Sequence, residues 1–136
     1  MTDTPCICIS LRKASRKMTS LYDDALAPAG INLAQFSLLR NVNRHGPVSL
    51  TRLSEITELD RSTLGRNVRV LERMGLMAAT DSGDRREASV ALTADGKRTL
   101  DRGEPLWAGV QSGIRTRLGA QGAAQLEALL GALQEA

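Results

Sequence analysis

The segment DSGDRREASVALT, residues 81–93, sets two adjacent arginines, Arg85 and Arg86, between a Ser-Gly-Asp turn and an alternating run that ends in Val90 and Leu92. Gly83 and Asp84 favour a tight reversal, and the alternation reads as the return strand of a hairpin. Guanidinium groups at a hairpin tip fork onto phosphate or onto base edges, so this chemistry suits a polyanion. A second set lies upstream in ELDRSTLGRNVRVLERMG. If Leu64, Val68 and Leu71 face inward, then Ser62, Arg66, Arg69 and Arg73 share the outward stripe of a helix, with Arg61, Thr63 and Asn67 beside it. Ser, Thr and Asn near a helix N-terminus reach base edges, and arginine binds guanine or phosphate. Alone, the stripe reads equally as a solvated face: Glu55, Glu58 and Glu72 dilute its field, and Glu72 can pair with Arg69.

The elements that position these groups follow from periodicity. Ile7, Leu11, Ala14, Met18, Leu21 and Ala25 draw one apolar stripe along a first helix, which Pro28 to Gly30 end. Asn32 with Gln35 forms a capping-box pattern ahead of Phe36, Leu39 and Val42, and His45-Gly46-Pro47 stops this second helix. Ser49 or Thr51 caps a short helix with Leu50, Leu53 and Ile56 inward. Asp60 caps the helix of the polar stripe, and Gly75 terminates it. LMAATD and EASVAL make two short strands, the first with poor β propensity. Thr93 caps a long final section in which Leu100, Trp107, Val110 and Ile114 mark an apolar face, Pro105 is expected to kink the helix and Gly103 to weaken it. A last helix runs from about Ala120 to Gln134. Helix, short helix, polar-striped helix, strand, turn, strand is the order of a winged helix-turn-helix, and TELD is a turn of the length such motifs need.

Composition narrows the class. The chain has 136 residues, 42% hydrophobic and 24% charged, one domain's worth of an ordinary soluble protein. Its three aromatics, Tyr22, Phe36 and Trp107, leave the core to aliphatic side chains. No apolar run is long enough to span a bilayer and the N-terminus does not read as a signal peptide, so a cytoplasmic location without membrane contact is expected. The net charge is +3, suggestive of a polyanionic partner only where the arginines cluster. Cys6 and Cys8 are the only cysteines and His45 the only histidine, which leaves no disulfide scaffold, no zinc cluster and no Ser/His/Asp set. No cofactor and no enzymatic activity are expected.

Three stretches resemble the MarR family of bacterial transcription regulators: LYDDALAPAGINLAQFSLLRNV, SLTRLSEITELDRSTLGRNVRVLERMGL and DRREASVALTADGK. The last matches the family's Asp-x-Arg and Leu-Thr-x-x-Gly at Asp84, Arg86, Leu92, Thr93 and Gly96. The resemblance covers nearly the whole chain. It implies a mainly α fold with a small β-hairpin wing and an obligate homodimer. The helices near 7–30 and 94–136 would interlock, while the lobes near 32–93 meet a pseudo-palindromic operator in double-stranded DNA. The apolar surface of Leu106, Val110, Ile114, Leu126, Leu130 and Leu133 fits such pairing independently. By the same resemblance Arg86 enters the minor groove, Asp84 orients it, Arg85 binds phosphate, and repression is the default outcome. Arg73, and more weakly Arg52, suit phosphate contacts.

Two switches are open. Cys8, Ser15 and Tyr22 fall at seven-residue steps on nearly one stripe. In the family's peroxide-sensing subgroup a reactive cysteine matches Cys8 and a tyrosine partner matches Tyr22, but two further tyrosine positions fall on Arg12 and Leu33. Arg12 or Arg16 could activate the thiol electrostatically, or Cys8 is simply a small packing residue near the dimer seam. The resemblance also implies a cleft for a small aromatic ligand, for which Arg16, Met18, Tyr22 and Phe36 are candidates. The rival from another class is a winged-helix protein-interaction module that does not bind DNA. Such a module should present apolar residues where this chain has Ser62, Thr63, Arg66, Asn67, Arg69 and Arg73.

Overall fold

The computed structural model describes residues 3–80 and 88–135. Helix α1 spans Ile7–Leu26 and passes into a single 3₁₀ turn, Ala27–Ala29, closed by Gly30 at φ 79°. Only a glycine adopts that left-handed conformation without penalty, so the chain turns where the Pro-Ala-Gly run predicts. Helix α2 (Leu33–His45) opens on the expected capping box: the Gln35 N–H donates to Asn32 Oδ1 at 2.9 Å, and the Asn32 N–H to Gln35 Oε1 at 3.0 Å. Asp23 of α1 adds a third tie, accepting from the Leu33 N–H at 2.7 Å.

There follow β1 (Val48–Ser49), α3 (Leu50–Thr57), α4 (Arg61–Arg73), β2 (Met77–Thr80), β3 (Ser89–Leu92) and α5 (Ala94–Gln134). The strands form an antiparallel sheet in the order β1-β3-β2, with Val48 opposite Val90 and Met77 opposite Leu92. Both strands read from the sequence are present. β1 is an addition, and at two residues it is too short to carry an alternation signal. The hairpin's tip, with Asp84, Arg85 and Arg86, lies outside the described residues.

The core joins α2, α3, α4 and the start of α5 through Phe36, Leu39, Leu53, Leu64, Val68, Leu71 and Leu100, each at most 1% exposed. Phe36 stacks on Trp107 of α5 with ring centroids 5.8 Å apart, and the Arg40 guanidinium lies 4.2 Å above the Trp107 ring. Gly103, which reads as a weak point of its helix, is a packing site. A Cβ there would stand 3.1 Å from the Phe36 ring, so glycine lets α5 seat on the aromatic.

The final section departs from expectation at Pro105. The helix runs through it, and the non-helical backbone within α5 falls at Gly119, with φ 76° and ψ 161°. Pro105 and Asp101, whose carbonyl the proline leaves without its helical partner, are both exposed, while Leu100, Gly103 and Trp107 hold the helix to the core on either side. Gly119 has no such packing, and its backbone takes the turn that other residues resist. The segments flanking it are the long section and the last helix of the sequence reading.

Phe36→Ala should cost about 3–5 kcal/mol, as expected for a large aromatic leaving a closed core. Urea unfolding followed by Trp107 emission checks this, because the same truncation removes the ring on which the indole stacks.

Candidate nucleic-acid interface

Helix α4 is built to present a polar row. With Leu64, Val68 and Leu71 buried, Ser62, Arg66, Arg69 and Arg73 are exposed, and Thr63 and Asn67 are half-buried at its edge. The row sits on a rigid base. In the turn before α4, the Ser54 hydroxyl donates to the Leu59 carbonyl at 2.6 Å and the Thr57 hydroxyl to the Leu53 carbonyl at 2.8 Å. Glu58 takes a left-handed conformation there, φ 57°, which costs a side-chain-bearing residue about 1–2 kcal/mol and is held by those flanking bonds. Arg61 Nη1 reaches back to Thr51 Oγ1 at 2.6 Å and links the starts of α3 and α4.

Asp60 organises the N-terminal end. Its carboxylate accepts the Thr63 N–H at 2.9 Å and the hydroxyls of Ser62 and Thr63 at 2.8 Å each; Arg66 Nη2 in turn donates to Thr63 Oγ1 at 3.3 Å. Three of the candidate contact residues are thereby oriented by one anion. The bonds to Thr63 and Ser62 favour the charged form and lower the Asp60 pKa to about 2. Further along, Arg69 folds back, its Nη2 lying 3.6 Å from where a Cβ on Gly65 would stand. Arg52 pairs with Glu55 at 3.3 Å, an exposed bridge of little energetic weight that a phosphate could displace.

The structure gathers Arg52, Arg61, Ser62, Thr63, Arg66, Asn67, Arg69 and Arg73 on α3 and α4, while Asp84, Arg85 and Arg86 lie outside the described residues. The sensor candidates are not gathered. Cys8 is exposed in the first turn of α1 and Tyr22 is buried near its end. Fourteen helical residues separate them by about 21 Å, so a shared stripe does not become a contact within one chain. The four ligand candidates do not line one cleft either. Phe36 is sealed in the core, Tyr22 is buried and Arg16 is exposed. Met18 lines a groove of about 880 Å³ between α1 and α5 with Leu21, Ile114, Leu118, Lys17 and Arg117.

The Tyr22 hydroxyl donates instead to Gln111 Oε1, and burial raises its pKa against the opposing charge of Arg115. Gln111 and Arg115 were not singled out in the sequence. They follow Trp107 at four-residue steps on α5, a pattern that any helix face can show. They border a second groove, of about 780 Å³, at the Gly119 bend, where Arg115 bridges to Glu127 at 3.4 Å.

Comparisons with known proteins agree with this geometry. The family model described as MarR family matches residues 29–87. The HTH-type transcriptional repressor NicR of Pseudomonas putida is 33% identical over 92 residues, 67% of this chain and 58% of that protein, so the matched region spans little more than half of the relative. The organic hydroperoxide resistance transcriptional regulator of Bacillus subtilis is 30% identical over 66% of this chain and 62% of its own length. Among solved structures, the M. tuberculosis transcriptional regulator MosR in complex with DNA superposes with a TM-score of 0.83 at 31% identity, covering 96% of this chain and 98% of that one. The chain belongs to the MarR family, and its fold is the winged helix-turn-helix.

Asp60 supplies a pH test. Its folded pKa of about 2 lies below the ordinary 3.8, so its stabilising contribution is complete above about pH 4 and lost as pH falls through about 2. The urea midpoint of the wild type should therefore drop between pH 4 and pH 2 more steeply than that of Asp60→Ala; parallel curves would disprove the cap's role.

Proposed function

We propose that the protein is a sequence-specific DNA-binding transcription repressor that works as a homodimer. The observation that carries this reading is the polar row of α4: a helix anchored by a closed apolar face presents Ser62, Thr63, Arg66, Asn67, Arg69 and Arg73 where an interaction module would present apolar side chains. In this reading the half-buried edge and the hydroxyls held by Asp60 meet base edges in the major groove, and Arg52, Arg61 and Arg73 meet phosphates. Arg86, braced by Asp84 and assisted by Arg85, enters the adjacent minor groove. MosR, solved in complex with DNA, and NicR, named a repressor, support the reading.

The dimer reading rests on apolar surface. Ile7 is 68% and Leu129 64% exposed, and Leu11, Met18, Leu21, Leu118, Leu126, Leu130 and Leu133 lie open on α1 and α5. Scattered exposed leucines are ordinary, whereas a row continued along two adjacent helices is the mark of an interface. The helices near 7–30 and 94–136 thus pair two copies, and the lobe near 32–93 carries the DNA contacts. Release from DNA follows either a small aromatic ligand or oxidation of Cys8, a free thiol in the first turn of α1. The likeness to a hydroperoxide-resistance regulator favours the thiol. No helix among the described residues is long and apolar enough to cross a membrane.

A gel shift across a salt series against the DNA upstream of the chain's own gene tests the function, and light scattering at micromolar concentration tests the dimer; a monomer would exclude the paired geometry. Arg86→Ala should weaken operator binding by about 1–3 kcal/mol, whereas Arg73→Ala should weaken binding to all sequences alike and flatten the salt dependence. Cys8→Ser should retain DNA binding and lose its release by peroxide; release that persists without this thiol would end the oxidation reading.

A further inference from the structure

Helix α4 and helix α5 are separated in sequence by the hairpin, yet they are fastened to each other at its base. The Thr93 hydroxyl donates to the Gly75 carbonyl at 2.6 Å, just past the end of α4, and accepts the Gly96 N–H at 3.0 Å as the N-cap of α5. The Thr93 N–H donates to the Leu76 carbonyl at 3.1 Å, and the Leu76 N–H donates to the Leu71 carbonyl of α4 at 2.9 Å. The approach is so close that a Cβ on Gly96 would stand 2.0 Å from the Leu76 carbonyl oxygen, a backbone atom that cannot swing away. One hydroxyl thus both caps α5 and bonds the Gly75 carbonyl at the exit of α4, where the Gly96 backbone lies directly against that of Leu76.

We propose that Thr93 and Gly96 form a rigid joint that makes α4 and α5 one mechanical body, and that Thr93 is a positioning residue for operator recognition. Rotation of α5 within the paired helices then carries the polar row of α4 with it instead of being absorbed in a loose connection. A dimer whose two rows are held this way discriminates among operators by the distance between half-sites, because each lobe lacks the freedom to follow a displaced groove. The inference rests on the DNA-binding dimer reading above. It adds that half-site spacing is read through residues that touch no DNA.

The test separates the joint from the cap. Thr93→Asp keeps an N-cap acceptor for Gly96 but has no hydroxyl to donate to Gly75; Thr93→Val loses both bonds at nearly constant shape; Thr93→Ser keeps both. The probe is a duplex selected from a random pool by the wild-type protein, with variants carrying one base pair inserted or deleted between half-sites. Binding is read by fluorescence anisotropy, with light scattering and thermal melting in parallel. Thr93→Asp and Thr93→Val should bind the native spacing more weakly, on the order of tenfold as a lost hydrogen bond allows. Their affinity ratio between native and altered spacings should fall toward one, and Thr93→Ser should restore it. A merely structural residue would lower the melting point and leave that ratio unchanged. Wild-type discrimination in either variant while folded and dimeric overturns the joint. A wild-type protein that selects no duplex overturns the DNA-binding reading and the joint with it, so the two failures are distinct.

Discussion

Burial of one face of α4 is the constraint on which the rest of the structure depends. Leu64, Val68 and Leu71 are at most 1% exposed, and each such side chain contributes about 1.5–3 kcal/mol by leaving water. The exposed ion pair between Arg52 and Glu55 contributes at most about 1 kcal/mol, so packing and not charge decides the rotation of the helix about its axis. Once the apolar row is seated, the polar row has one direction left to face. The functional surface is in this sense a by-product of the core.

That seating would be of little use if the helix could slide or fray. Asp60 holds its first turn by accepting three hydrogen bonds, the Ser54 and Thr57 hydroxyls stitch the turn before it, and Thr93 ties its exit to α5. These are small polar devices, each modest beside the burial of the apolar face. Placed at both ends of one helix, they act on orientation more than on total stability. The left-handed Glu58 is a local cost that the same bonds offset.

Helices α1 and α5 contribute a different kind of constraint. α1 leaves most of its length open, with Tyr22 and Leu26 its buried residues, and after the bend at Gly119 the last segment of α5 is exposed apart from Gly122 and Ala123. A monomer would present this apolar surface to water along two helices. In the proposed dimer, association would remove that surface, and by fixing α5 it would also fix whatever is fastened to α5.

Periodicity and caps were legible because they depend on neighbours three or four residues away. The Asn32–Gln35 box, the Asp60 cap, the Gly75 stop and the inward row of α4 all stand where the residue types put them. Local signals failed where distant contacts compete with them. Pro105 carries a strong signal for a kink, but the seating of Gly103 on Phe36 and the stack of Trp107 hold the helix through it, and the break within α5 is at Gly119, just ahead of where the last helix is expected to begin. Phe36 reads as a possible ligand contact and is instead core. Cys8 and Tyr22 share a stripe, but the helix rise keeps them apart within one chain. The sequence alone determined which helices are amphipathic, where they begin and end, and which side chains can meet a polyanion, since each of these follows from local chemistry. Only the tertiary structure decided that Thr93 answers Gly75 across eighteen residues, that Gly96 is small because a carbonyl lies against it, and that Tyr22 bonds to Gln111, since such contacts exist only once packing has chosen which distant backbones meet.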